Sequence, residues 1–151
     1  MRDEVKYWIG FNIVKGIGPI RLQTLLDAFG DIKSAWQASP AQLRAAGLSD
    51  SLARRVQQVR DETDFSALID RLKDEAIQVL TWHDEAYPAQ LKEIPQSPSV
   101  IYLKGSLWKE DRRAVAIVGT RRFTSYGRQV AEDIAQTLAH QRVTIVSGLA
   151  R

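Results

Sequence analysis

Residues 114–151, AVAIVGTRRFTSYGRQVAEDIAQTLAHQRVTIVSGLAR, constrain the fold most, because short apolar runs and polar loops alternate there around one amphipathic segment. Residues 114–118 form a continuous apolar run, the pattern of a strand buried on both faces of a parallel sheet. The loop that follows carries Gly119, Thr120, Arg121, Arg122, Thr124 and Ser125. From 126 to 140, Val130, Ile134 and Leu138 recur every four positions among Ala131, Ala135 and Ala139, which gives a helix one apolar side. Residues 144–146 open a second apolar run, and Ser147-Gly148-Leu149-Ala150-Arg151 leaves its end. Strand, helix and strand at this spacing predict one parallel βαβ unit.

Crossovers in such units are right-handed, and ligands gather outside the carboxyl ends of the strands. Both polar loops leave carboxyl ends. Gly119, Thr120, Arg121 and Arg122 are therefore expected to face one crevice with Ser147, Gly148 and Arg151. Hydroxyls, glycines and arginines beside a helix N-terminus suit an anion, most naturally phosphate. The whole chain carries a net charge of only +3. From residue 114 onward, though, every cation is arginine, whose planar fork matches phosphate oxygens. The loop has neither a G-x-G-x-x-G nor a Walker-type Gly-Lys-Ser/Thr, which disfavours a dinucleotide or P-loop nucleotide.

The preceding sequence reads as helical. Residues 3–12 present Val5, Trp8 and Ile9 on one face, and residues 20–29 place Leu22, Leu25, Leu26 and Phe29 at i, i+3, i+4 and i+7. Between them, Val14-Lys15-Gly16-Ile17-Gly18-Pro19 resembles the hairpin of a helix-hairpin-helix motif, in which glycine backbone N–H groups bind a DNA phosphate without reading bases. Gly16, Ile17 and Gly18 thus form a second candidate DNA contact, against the plainer reading that the glycines close a tight turn. A weaker echo follows, with Ser39-Pro40 starting one helix and Gly47-Leu48-Ser49 turning into another marked by Leu52, Val56 and Val59.

Residues 63–76 predict one more amphipathic helix, and residues 77–81 and 100–103 predict strands. Between these strands, Pro88, Pro95 and Pro98 suit an ordered loop. The expected organisation is an all-α domain over 1–62, a connecting segment over 63–113, and the start of an α/β core over 114–151. The fold class is α plus α/β.

Other functions are disfavoured. His83-Asp84-Glu85 cannot converge on one metal from consecutive positions, and His140 falls at a helix end, where it complements the dipole. Trp8, Trp36, Trp82 and Trp108 are scattered, as packing residues are. No nucleophile–base set or nucleophile elbow is present, so no catalytic residue, metal or cofactor is expected. The chain has no cysteine, which fits a cytoplasmic location, and no apolar run long enough to cross a bilayer.

Three ordered motifs make the chain similar to the DprA/Smf family of DNA-processing proteins over essentially its whole length. They are the GIGP hairpin, the segment YPAQLKEIPQSPSVIYLKG, and AIVGTRRFTSYGRQVAEDIAQTLA followed by VSGLAR. Within them Tyr87, Pro88, Leu91, Pro98, Tyr102 and Gly105 match the middle pattern. Gly119, Thr120, Arg121, Tyr126 and Gly127 match the Gly-Ser/Thr-Arg motif, and Ser147, Gly148, Ala150 and Arg151 match the last one. The resemblance implies a SAM-like helical domain before an extended Rossmann-like domain. It further implies single-stranded-DNA binding at the carboxyl edge of the sheet, delivery of that DNA to the RecA recombinase during natural transformation, and a homodimer. It makes Arg121 the leading phosphate contact. The family pattern continues with Gly-Ile-Asp after the position of Arg151, so the sequence is expected to be a fragment, with later dimer and RecA surfaces outside it. Two other readings remain open. One is a Rossmann-like nucleoside-monophosphate phosphoribohydrolase; the other is a duplex-DNA or protein-interaction module built on the first sixty residues.

Overall fold

Caps and glycines divide the N-terminal part of the chain into short helices in the computed structural model, which describes residues 4–148. Helix α1 spans Val5–Ile13, and α2 spans Pro19–Phe29 with the proline in its first turn and Gly30 ending it at φ 83°. Helix α3, Ile32–Gln37, starts where Asp31 accepts the Ser34 backbone N–H at 2.8 Å. Helix α4, Pro40–Ala45, begins with a capping box. The Ser39 hydroxyl accepts from Gln42 N–H, and the Gln42 side chain accepts from Ser39 N–H. Ser49 caps α5, Asp50–Glu62, and Asp64 caps α6, Phe65–Asp74. Of these, only α3 is not expected from the sequence. At six residues it is too short for a periodic apolar pattern, although its Asp-x-x-Ser cap is visible in the sequence.

These helices close around Phe11, Ile9, Leu22, Leu25, Leu43 and Val56, all essentially without solvent contact. Trp36 is their hub. Its ring meets Phe11 edge-on at 4.9 Å and Phe65 at 5.8 Å. The Arg60 guanidinium covers the ring at 5.2 Å while donating to the Ala38 carbonyl at 2.9 Å. The ring can lie this close to α1 because residue 10 is glycine; a Cβ there would stand 2.5 Å from the Trp36 ring.

Strands β1, Ile77–Thr81, and β2, Val100–Lys104, pair antiparallel with Val79 opposite Tyr102. Val79 and Val100 join the helical core, so residues 63–105 lie with the helices in one compact unit, and the chain divides between Gly105 and Ser106. The proline-bearing loop between β1 and β2, which includes the single turn α7 (Ala89–Lys92), is pinned by side chains. Asp84 accepts both the N–H and the hydroxyl of Thr81 at 2.8 Å. Buried Tyr87 donates its hydroxyl to the Pro98 carbonyl at 2.6 Å and shares a 2.8 Å bond with the Ser97 hydroxyl. Trp8 packs edge-on against Trp82 at 5.9 Å and His83 at 5.2 Å, which gives His83 a packing role.

The second unit is built from a 3-10 turn at Lys109–Arg112, β3 (Ala114–Ala116), α8 (Ser125–His140) and β4 (Thr144–Val146). β3 and β4 pair in parallel, Ala114 with Thr144 and Ala116 with Val146, and Ile117 N–H extends the ladder to the Val146 carbonyl at 2.9 Å. Asp111 ties the 3-10 turn to β4: it accepts from Trp108 N–H at 2.7 Å and from the Thr144 hydroxyl at 2.9 Å. Those two bonds, the backbone one first, hold its carboxyl below the usual carboxylate range. The apolar side of α8 is used in part as expected: Val130, Ala131, Ala135 and Leu138 are half-buried, but Ile134 is exposed.

One expectation is corrected here. The run over 114–118 is not buried on both faces: the strand is three residues long and all three are exposed. Among the described residues the sheet has two strands and packs against one helix, so Val115 and Val146 remain 41% and 49% exposed. No helix among the described residues is long and apolar enough to cross a membrane.

Gly10→Ala tests the Trp36 packing. Propensity alone predicts a gain of about 1 kcal/mol for alanine inside a helix. The overlap with a buried ring instead predicts a loss of about 1–3 kcal/mol, read as a lower midpoint in thermal or urea unfolding.

Candidate nucleic-acid interface

Because β3 and β4 run parallel and in register, the segments leaving their carboxyl ends emerge side by side. Val118–Thr124 follows β3, and Ser147 and Gly148 follow β4. Gly119, Thr120, Arg121 and Arg122 therefore share one edge with Ser147 and Gly148, and all six are exposed. Arg151, also expected there, lies outside the described residues. A Cβ added at Gly119 or Gly148 would meet nothing within 4 Å, so their backbone is open to approach.

The loop has internal order. The Thr120 hydroxyl accepts from Arg122 N–H at 3.1 Å, and the Thr124 hydroxyl accepts from Gly127 N–H at 3.1 Å, capping α8. Each hydroxyl keeps its own proton to donate. Behind the cap, sixteen residues of helix direct the positive end of their dipole at the loop. Among the described residues, no carboxylate pairs with Arg121 or Arg122. Arg128 differs: Glu132 holds it at 2.7 Å and raises its pKa further. The loop thus offers two uncompensated guanidinium groups, open backbone and hydroxyl donors. That set can bind a phosphate group.

The hairpin of the first unit is a separate candidate. Gly16 adopts φ +106°, and a Cβ there would lie 2.9 Å from Leu52, so glycine is required by both conformation and packing. Ile17 is buried and donates its N–H to the Val14 carbonyl at 3.0 Å, and among the described residues no acceptor pairs with the N–H of Gly16 or Gly18. Two cations that sequence reading did not single out brace the turn. Arg21 donates to the Gly16 carbonyl at 2.7 Å, and Arg55 donates to the Lys15 carbonyl at 3.1 Å. Arg55 lies forty residues along, with no local pattern that could have flagged it.

Residues 78–151 match the sequence model of the family described as DNA recombination-mediator protein A. The chain is 34% identical to protein Smf of Synechocystis sp. over 153 aligned residues, covering 98% of this chain and 38% of that protein. It is 34% identical to the DNA processing protein DprA of Bacillus subtilis over 79 residues, 52% of this chain and 27% of that protein. It is 38% identical to the DNA processing protein DprA of Streptococcus pneumoniae over 68 residues, 45% and 24% of the two chains. The chain belongs to the DprA/Smf family. It spans well under half the length of these relatives. The family match runs through both the Tyr87 loop and the β3–α8–β4 unit, so the two arginines lie within the matched region.

Sequence reading passed over Phe123 and took Tyr126 only as part of the family motif, without its exposure. Phe123 is 65% and Tyr126 78% exposed, although both were visible as large rings in a polar stretch.

Thr124→Ala tests the frame that carries the loop. Loss of the cap predicts a cost of about 1 kcal/mol and lower helicity by circular dichroism, with Thr124→Ser restoring most of both.

Proposed function

We propose that this chain is the part of a DprA/Smf protein that binds single-stranded DNA through its phosphates, with Arg121 as the leading contact and Arg122 beside it. Gly119, Thr120, Ser147, Gly148 and Arg151 form the rest of the surface. The observation that carries the reading is the pair of exposed arginines, without a carboxylate partner among the described residues, on the edge shared by the carboxyl ends of two parallel strands. The family's names, DNA processing and recombination mediation, support nucleic acid as the phosphate source. On this reading the helical unit is SAM-like, the second unit begins a Rossmann-like domain, and the role is binding without catalysis. The whole protein would act as a cytoplasmic homodimer that protects incoming DNA and loads RecA during transformation.

The hairpin supplies a second contact on this reading. Its Gly16 and Gly18 N–H groups, which have no acceptor among the described residues, and Lys15, Arg21 and Arg55 around them suit a phosphate of the same or a duplex substrate.

Fluorescence anisotropy with a labelled oligonucleotide tests the main site. Affinity is expected to fall steeply with salt, since each neutralised phosphate releases counterions. Arg121→Ala is expected to weaken binding and to lower the magnitude of the log–log salt slope by about 0.7, the value for one single-strand contact. An unchanged slope in Arg121→Ala would remove that residue from the interface.

A further inference from the structure

Phe123 and Tyr126 follow the two arginines closely in the chain and contribute little to the fold. Phe123 is 65% exposed and Tyr126 is 78% exposed, and neither has a ring or cation partner among the described residues. Phe123 precedes the Thr124 cap, the position from which an apolar side chain ordinarily packs against the fourth helical residue. Here that residue is Arg128, and its guanidinium is committed to Glu132. The ring is therefore not used to fix the start of the helix. Tyr126 is the second residue of α8, one position before Gly127, and lies outside the half-buried side formed by Val130, Ala131, Ala135 and Leu138. Two rings and two uncompensated guanidinium groups thus stand within six consecutive residues, 121–126, with no carboxylate among them.

We propose that Phe123 and Tyr126 are a base-stacking platform that makes this edge selective for unpaired bases while remaining indifferent to their sequence. The proposal rests on the phosphate-binding reading of Arg121 and Arg122. A strand whose phosphates sit on the arginines carries its bases within reach of the neighbouring rings. In a single strand the base faces are open to such contact; in a duplex they are stacked on one another. Every base has a π-face, so rings of this kind tolerate any sequence. Trp108 is an internal control. It is 69% exposed, but the turn that follows it leads into the amino end of β3, opposite the carboxyl-end loops.

The test compares three labelled ligands on the full chain: oligo-dT, an abasic strand of the same length, and a duplex. The expected order is oligo-dT tightest, with the abasic strand and the duplex weaker. Phe123→Ala and Tyr126→Ala are each expected to weaken oligo-dT binding about tenfold, within the range of one lost stacking contact. They are expected to leave abasic-strand affinity and the salt slope unchanged. Tyr126→Phe retains binding, and Trp108→Ala has no effect. Equal wild-type affinity for oligo-dT and the abasic strand overturns the platform while leaving the phosphate contact standing, and that comparison needs no variant to fold. Equal losses on both strands in the variants overturn it as well. If neither strand binds in a salt-dependent way, the phosphate reading fails and the platform fails with it.

Discussion

The parallel pairing of β3 with β4 is the constraint on which the candidate interface depends. Antiparallel neighbours would send successive loops to opposite edges; parallel ones send both to the same edge and need a long crossover between them. Here that crossover is α8, sixteen residues begun by the Thr124 cap. The pairing therefore does two things at once. It places Gly119–Arg122 beside Ser147 and Gly148, and it sets a helix N-terminus behind the arginines. The Asp111 bridge to Trp108 and Thr144 anchors the start of both strands. Its carboxyl is depressed in the fold, so the sign of its pH dependence is clear. Its contribution is present above the unfolded carboxyl pKa and is lost as pH falls through the folded one.

The helical unit follows a different logic. Its organising contact is the Trp36 ring on Gly10, with Phe11, Phe65 and the Arg60 guanidinium closing the other sides. Burial pulls the Arg60 pKa below its ordinary value. Gly16 plays a similar part in the hairpin, where its φ of +106° favours glycine and a Cβ would stand 2.9 Å from the end of the Leu52 side chain. Gly16 is thus explained by its backbone conformation and packing whether or not a phosphate binds there, whereas Gly18 has open space around it. The cations around them, Arg21 and Arg55, are exposed and donate to carbonyls of the turn.

Much of this was legible in the sequence, and the reasons differ by element. Helices α2 and α5 announced themselves by apolar spacing, and α4 by Ser39-Pro40, because caps and periodicity are local properties. The two arginines stood out as candidates because they sit in a polar loop between a strand-like run and an amphipathic helix, and the structure leaves both exposed there. Burial of residues 114–118 was misjudged, since an apolar run reports what a strand favours, and its exposure depends on what packs on it. Arg55 and Gly10 were invisible for a related reason: each matters through one partner distant in the chain. Phe123 and Tyr126 were visible as residues, but their exposure was not, since it depends on what packs against the start of α8.

The central claim is that the two loops leaving β3 and β4 act as one nucleic-acid surface. Backbone amide NMR of this chain titrated with oligo-dT tests it most directly. The account predicts shift changes concentrated at residues 119–127 together with 147 and 148, reversed by added salt. Changes confined to the helical unit, or to only one of the two loops, would contradict it.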